Sequence, residues 1–179
     1  MQIRAVATVL CALVYLTPFA AAQTATPAAP DRAQVLKAAR EIMQAARYCV
    51  LVTLGEDGHP QARIMDPFLP EGDMTIWAAT NSLTRKVGEI KKDPRVTLVY
   101  FDSAKMAYVT LLGTAALVSN AGEKAKHWKD EWAKIYKDGS RSDEYLLIRI
   151  KPTRLEISSA AHGLNNDPKT WKPVIIEFK

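Results

Sequence analysis

The chain has 179 residues, a formal charge of +5, 48% hydrophobic and 24% charged residues. That composition excludes a disordered or collagen-like chain and suits one globular domain of ordinary size. The positive charge is spread along the sequence, densest at Arg85-Lys86 and Lys91-Lys92. No aromatic-interleaved basic stripe accompanies it, so a nucleic-acid partner is not expected.

The first residues read as a targeting segment. A basic start through Arg4, an apolar run over 5–16 and Ala20-Ala21-Ala22 form the pattern of a cleaved secretory signal at 1–22. The expectation is an exported protein, periplasmic or secreted, with no membrane segment after cleavage. Cleavage would remove Arg4 and Cys11, lowering the charge to +4 and leaving Cys49 as the single cysteine. Cys49 stands in the run Tyr-Cys-Val-Leu-Val, the setting of a small buried hydrophobe.

Residues 23–30 form a Pro/Ala linker, followed by the folded domain at 31–160. Asp31 is placed to cap a helix reaching Arg47, with Ala33, Leu36, Ala39, Ile42, Met43 and Ala46 as its apolar stripe. The period then changes: 48–54 and 61–65 read as strands joined by the turn Glu56-Asp57-Gly58. A Pro- and Gly-bearing turn at 67–73 precedes a strand at 74–79 and a helix from Thr80 to Lys92, with Leu83, Val87 and Ile90 inward. Strands follow at 95–101 and 105–118, the second bending at Gly113. Asn120 and Glu123 resemble a capping box opening a helix that carries Ala125, Trp128, Trp132 and Ile135 on one side. Residues 145–151 alternate, with Leu146, Ile148 and Ile150 on one face. Pro152 interrupts, and 154–158 alternate again. The tail, 161–179, has turn chemistry and a short apolar run at 174–176. Six or seven strands in hairpin succession with three inserted helices favour a mainly β, antiparallel barrel over a parallel α/β sheet.

The chemistry concentrates in Thr80-Asn-Ser-Leu-Thr-Arg-Lys86. Arg85 and Lys86 fall in the first turn of a helix, where unpaired N–H groups and the helix dipole disfavour cations. Two arrangements relieve that conflict. A phosphate could accept from backbone N–H groups, from the Thr80 and Ser82 hydroxyls and from both cations. Alternatively, the cations pair with Glu89 or Asp93. The three histidines share no metal spacing, and no nucleophile triad, dinucleotide fingerprint or Walker loop is present. His59 reads as a turn residue and His127 as a solvated one, while His162 is the one candidate ligand or proton donor.

Segment 76–100, in the order strand, Thr80-Asn-Ser-Leu-Thr-Arg-Lys86, helix, Asp93-Pro-Arg-Val96, strand, resembles the pyridoxamine 5′-phosphate oxidase-like superfamily, in particular its general stress protein branch. The likeness extends to Tyr108-Val-Thr-Leu-Leu-Gly-Thr-Ala115, the Trp-bearing segment 126–136 and Tyr145-Leu-Leu-Ile-Arg-Ile-Lys-Pro152. The resemblance implies a six-stranded antiparallel split β-barrel with three helices that binds FMN as a homodimer and acts as a flavin-dependent oxidoreductase. It further implies that Arg85 and Lys86 hold the flavin phosphate, that Ala79 and Thr80 stand beside it, and that Arg63, Ile64 and Met65 line the ring, Arg63 also reaching phosphate. No catalytic residue and no substrate are named by it. The oxidases place a second lysine near the position of Phe68, a departure that bears on how phosphate or ring is held. A haem- or flavin-binding stress protein without turnover, and a dimeric barrel without cofactor, are the alternatives.

Overall fold

The computed structural model describes residues 30–179, so the expected secretory signal at 1–22 and the expected linker through residue 29 lie outside the described residues. Helix α1 (Arg32–Ala46) leads into the hairpin of β1 (Cys49–Leu54) and β2 (Pro60–Met65). Strand β3 (Ile76–Asn81), helix α2 (Arg85–Lys92), strands β4 (Arg95–Asp102) and β5 (Ala107–Val118), helix α3 (Ala121–Lys126), the long strand β6 (Tyr145–Ser158) and β7 (Val174–Glu177) follow. All pairings are antiparallel, in the order β2-β1-β4-β5-β6-β3, with β7 attached to β6. The result is a curled six-strand half-barrel with three helices, mainly β as the strand tally and the resemblance imply.

One edge of β6 pairs with β5 along its length, while the other pairs first with β3 and then with β7. The inward face of the sheet carries Leu51, Leu98, Val109, Leu111, Leu155 and Ile157, and α1 closes this core with Val35, Ala38, Ala39, Ile42 and Met43. The α1 stripe is displaced from the predicted one: Ala33 is exposed, and Asp31 occupies the cap position without a side-chain bond. On the other side of β3 and β6, Trp77, Trp132, Tyr136, Tyr145 and Leu147 form a second, aromatic cluster. The start of β6 is therefore buried on both faces, which is why the expected one-sided pattern of Leu146, Ile148 and Ile150 is too simple.

Three other boundaries differ from expectation. Helix α2 begins at Arg85, not Thr80, so Leu83 precedes it and is 84% exposed instead of inward. Strand β6 runs through Pro152, which lies opposite Gly113 at a register shift in β5. A bulge there spares the ladder the N–H that proline lacks. The helix opened by Asn120, whose side chain accepts from Glu123 N–H at 3.1 Å, stops at Lys126 and gives way to a 3₁₀ turn at Asp130–Lys134. That break turns His127 inward: it is 6% exposed, stacked on Trp77 at 4.2 Å and edge-on to Phe68 at 5.2 Å, not solvated. Ala125 and Ile135 are exposed for the same reason.

Candidate functional site

Strands β2 and β3 end the sheet, and they meet only where the chain leaves β2. Pro67 bridges Ala78, and Phe68 N–H donates to Trp77 O at 2.8 Å. Strand β2 itself pairs only with β1, so its other edge offers unpaired backbone groups beside the split. Alternation along β2 sends Arg63 and Met65 inward and Ile64 outward. Alternation along β3 sends Thr80 toward α2 while Ala79 packs on the aromatic cluster.

The α2 start brings its cations to this split. Thr84 occupies the cap position, and its Oγ1 lies 3.0 Å from Thr80 Oγ1, which accepts from Lys86 Nζ at 3.1 Å. Burial lowers the Lys86 pKa; the nearby charge of Arg63 adds to this, Glu89 opposes it, and Arg85 contributes least. An ammonium crowded by two guanidiniums in a half-buried place is a site that favours an anion. The N–H groups of Ser82, Leu83 and Thr84 are already bonded, to Glu144 O, Asn81 Oδ1 and Asn81 O. Among the described residues, those of Arg85 and Lys86 at the positive end of α2 carry no such bond.

Arg63 is held from the other side. Its Nη2 donates to Glu89 Oε2 at 2.7 Å and its Nη1 to Thr53 Oγ1, while Thr53 Oγ1 donates to the same carboxylate. Arg85 Nε lies 3.5 Å from Glu89 Oε1, so one of the pairings left open in the sequence is realised; Asp93 binds Arg95 instead. Ser82, Thr84, Arg85 and Glu89 also line a groove of about 660 Å³ between α2 and the β1–β2 turn.

Of the predicted residues, Arg63, Thr80, Arg85 and Lys86 therefore converge. Ser82 lies beside them on the groove, with its N–H committed. Ile64 is 67% exposed on the outer sheet face, Met65 is in the core and Ala79 in the aromatic cluster, so only their backbones border the split. Thr53, Thr84 and Glu89 were not foreseen as site residues. Glu89 had a signal, its four-residue spacing from Arg85, and Thr84 had its cap position. Thr53 had none, because only the β1–β2 register places it beside Arg63.

Phe68 packs against Trp132, and Lys129 Nζ lies 5.0 Å from its ring and 2.9 Å from Asp66 Oδ2. A cation thus reaches the end of β2 from another segment, already paired. Elsewhere, burial pushes the Cys49 thiol up to about 12, which keeps it protonated and inert. His162 bridges Ser159 Oγ (2.7 Å) and Glu41 Oε2 (3.0 Å), a relay with nucleophile chemistry, but Ser159 is 1% exposed and out of reach of substrate. The relay ties the tail to α1. Trp171 is 77% exposed on its turn.

Comparison with known proteins agrees with this architecture. No curated protein sequence matches the chain. A protein related to general stress protein 26, of the pyridoxinephosphate oxidase family, from Clostridium acetobutylicum superposes with a TM-score of 0.68 at 21% identity, covering 83% of this chain and 97% of its own. General stress protein 26 of Bacillus anthracis gives 0.65 at 20% identity over 81% and 99%. A heme binding protein from Mycobacterium smegmatis gives 0.54 at 21% identity over 67% and 52%. The profile of the pyridoxamine 5′-phosphate oxidase family matches residues 35–159, which is most of the chain and includes every residue of the split, and the chain belongs to that family.

Proposed function

We propose that this chain binds FMN in the split between β2 and β3 and serves, after export, as a flavin-dependent oxidoreductase. The observation that carries the reading is the convergence of Arg63, Arg85 and Lys86 with the Thr80 and Thr84 hydroxyls at the start of α2. Three cations against one carboxylate leave a net +2, which suits a phosphomonoester dianion. Lys86 and Thr80, with the Arg85 and Lys86 amides, would hold the phosphate, and Arg63 would reach it from β2. The unpaired edge of β2 at Ile64 and Met65 supplies backbone groups for the ring. The flavin supplies hydride and electron chemistry, while these residues bind, orient and neutralise it.

Haem fits less well. His127 is packed between Trp77 and Phe68, with its ring nitrogens facing Glu123 and Glu71. Both nitrogens of His162 are engaged, and His59 stands exposed in the hairpin turn. None of the three presents a free imidazole to a cavity.

The test is direct. Residues 23–179, purified from periplasm and from cytoplasmic expression, should carry or take up FMN, read by visible absorbance and by mass after denaturation. A colourless protein that also refuses added FMN overturns the proposal. Reduction by NAD(P)H, followed by a substrate screen, would separate an enzyme from a binder.

A homodimer belongs to the same proposal. The register aligns Ile64, Val50 and Val99 across the outer sheet face, and Val52, Leu112 and Phe101 continue it. These apolar residues, with Thr97 and Thr110 between and beside them, lie outside both clusters and border the split through Ile64. A second copy seated there would cover the apolar residues and close the open side of the site. Val99→Asp should turn a dimer into a monomer in sedimentation at micromolar concentration. A monomeric wild type, or a dimer that survives the substitution, would refute this interface.

A further inference from the structure

Arg63 and Arg85 both rest on a single carboxylate. Glu89 is 6% exposed, one helical turn beyond Arg85; its Oε2 accepts from Arg63 and Thr53, and its Oε1 forms an ion pair with Arg85 at 3.5 Å. Arg63 is gripped twice, by Glu89 and by Thr53, which Glu89 itself holds. A guanidinium carries five N–H donors in one rigid plane. Using two of them fixes the plane and leaves the remaining donors for a ligand. Glu89 also acts on charge: it is the one group opposing the Arg63 and Arg85 charges that depress Lys86. Without it the split would hold three cations and no anion.

We infer that Glu89 is the positioning residue of the phosphate site, aiming Arg63 and Arg85 and trimming the charge to match a phosphomonoester dianion. The inference rests on the flavin reading and deepens it into a statement about ligand class. A dianionic monoester neutralises the cluster. A phosphodiester, with one negative charge, leaves a half-buried cation uncompensated, so the site discriminates against it. Glu89 does not touch the ligand; its carboxylate is spent on the arginines.

The test titrates wild type, Glu89→Gln, Arg63→Ala and the double variant with FMN and with riboflavin, which has the same ring and no phosphate. Glu89→Gln should weaken FMN about tenfold, the loss of one charge-assisted contact, and leave riboflavin unchanged. In the Arg63→Ala background the same change should cost clearly less than about tenfold, because one of the two arginines it acts through is gone. A merely structural Glu89 would weaken both flavins equally, and that result overturns the inference. So does unchanged or tighter FMN binding, or additivity with Arg63→Ala. A wild type that binds neither flavin refutes the flavin reading by itself. Thermal shift with inorganic phosphate then decides on Glu89: phosphate should protect wild type and not Glu89→Gln, and equal responses overturn the inference.

Discussion

Replacing Arg85 and Lys86 together by alanine should lower FMN affinity by at least about a hundredfold while leaving the fold intact. Each cation contributes a hydrogen bond to a charged group, worth about 1.5–3 kcal/mol, so the pair accounts for roughly 3–6 kcal/mol of binding. The variant leaves Arg63 and Glu89 as a neutral pair with no net charge for a phosphate. Arg85 is largely exposed and Lys86 bonds only Thr80 Oγ1, so neither is needed to close the core. Fluorescence titration with FMN and riboflavin checks the result: FMN binding should fall to the riboflavin level and not below it. Wild-type FMN affinity in the double variant would place the phosphate elsewhere.

The second large effect is on stability. Gly113→Ala should destabilise the domain by about 3 kcal/mol, as overpacking against a rigid neighbour does. A Cβ at Gly113 would fall inside the van der Waals shell of Lys151 O, a backbone atom of the neighbouring strand, and would also press on Ile150 Cγ2. Backbone cannot swing aside as a flexible side chain does, and this is where β5 and β6 shift register around Pro152. The midpoint of thermal unfolding should drop by about 10 °C. Gly88→Ala is the contrast. A Cβ there meets nothing within 4 Å on a helix, so the change should stabilise by about 0.5–1 kcal/mol. Equal effects at the two glycines would show that the strand crossing tolerates relaxation that its geometry argues against.

Local signals explain which parts of the molecule could be read in advance. The β1–β2 hairpin announces itself through its turn residues and β-branched runs, and β4 and β5 through theirs, so the barrel class was legible. Helix α2 was legible in type but not in its start: Thr80, Asn81 and Ser82 all look like caps, and the pairing of β3 with β6 through Asn81 decides against them. The segment after α3 reads as one helix because Trp128 and Trp132 recur at helical spacing. Packing of both on Tyr145 breaks it instead. His127 was misjudged for that reason, since burial of a polar ring depends on partners far along the chain.

Local residues are enough to place Arg85 and Lys86 in the first turn of a helix, because the N-terminal signals and the following apolar spacing are close along the chain. The family, too, is legible in motifs that keep their order along the chain. Which residues share the site depends on how distant segments pack. Thr53 meets Arg63 through strand register, Glu89 meets Arg63 through the packing of α2 on β1, and Ala79 and Ile64 are turned away by the two-residue period of their strands. Such contacts join positions ten to thirty-six residues apart, and no local pattern encodes which face of a strand will look into the split.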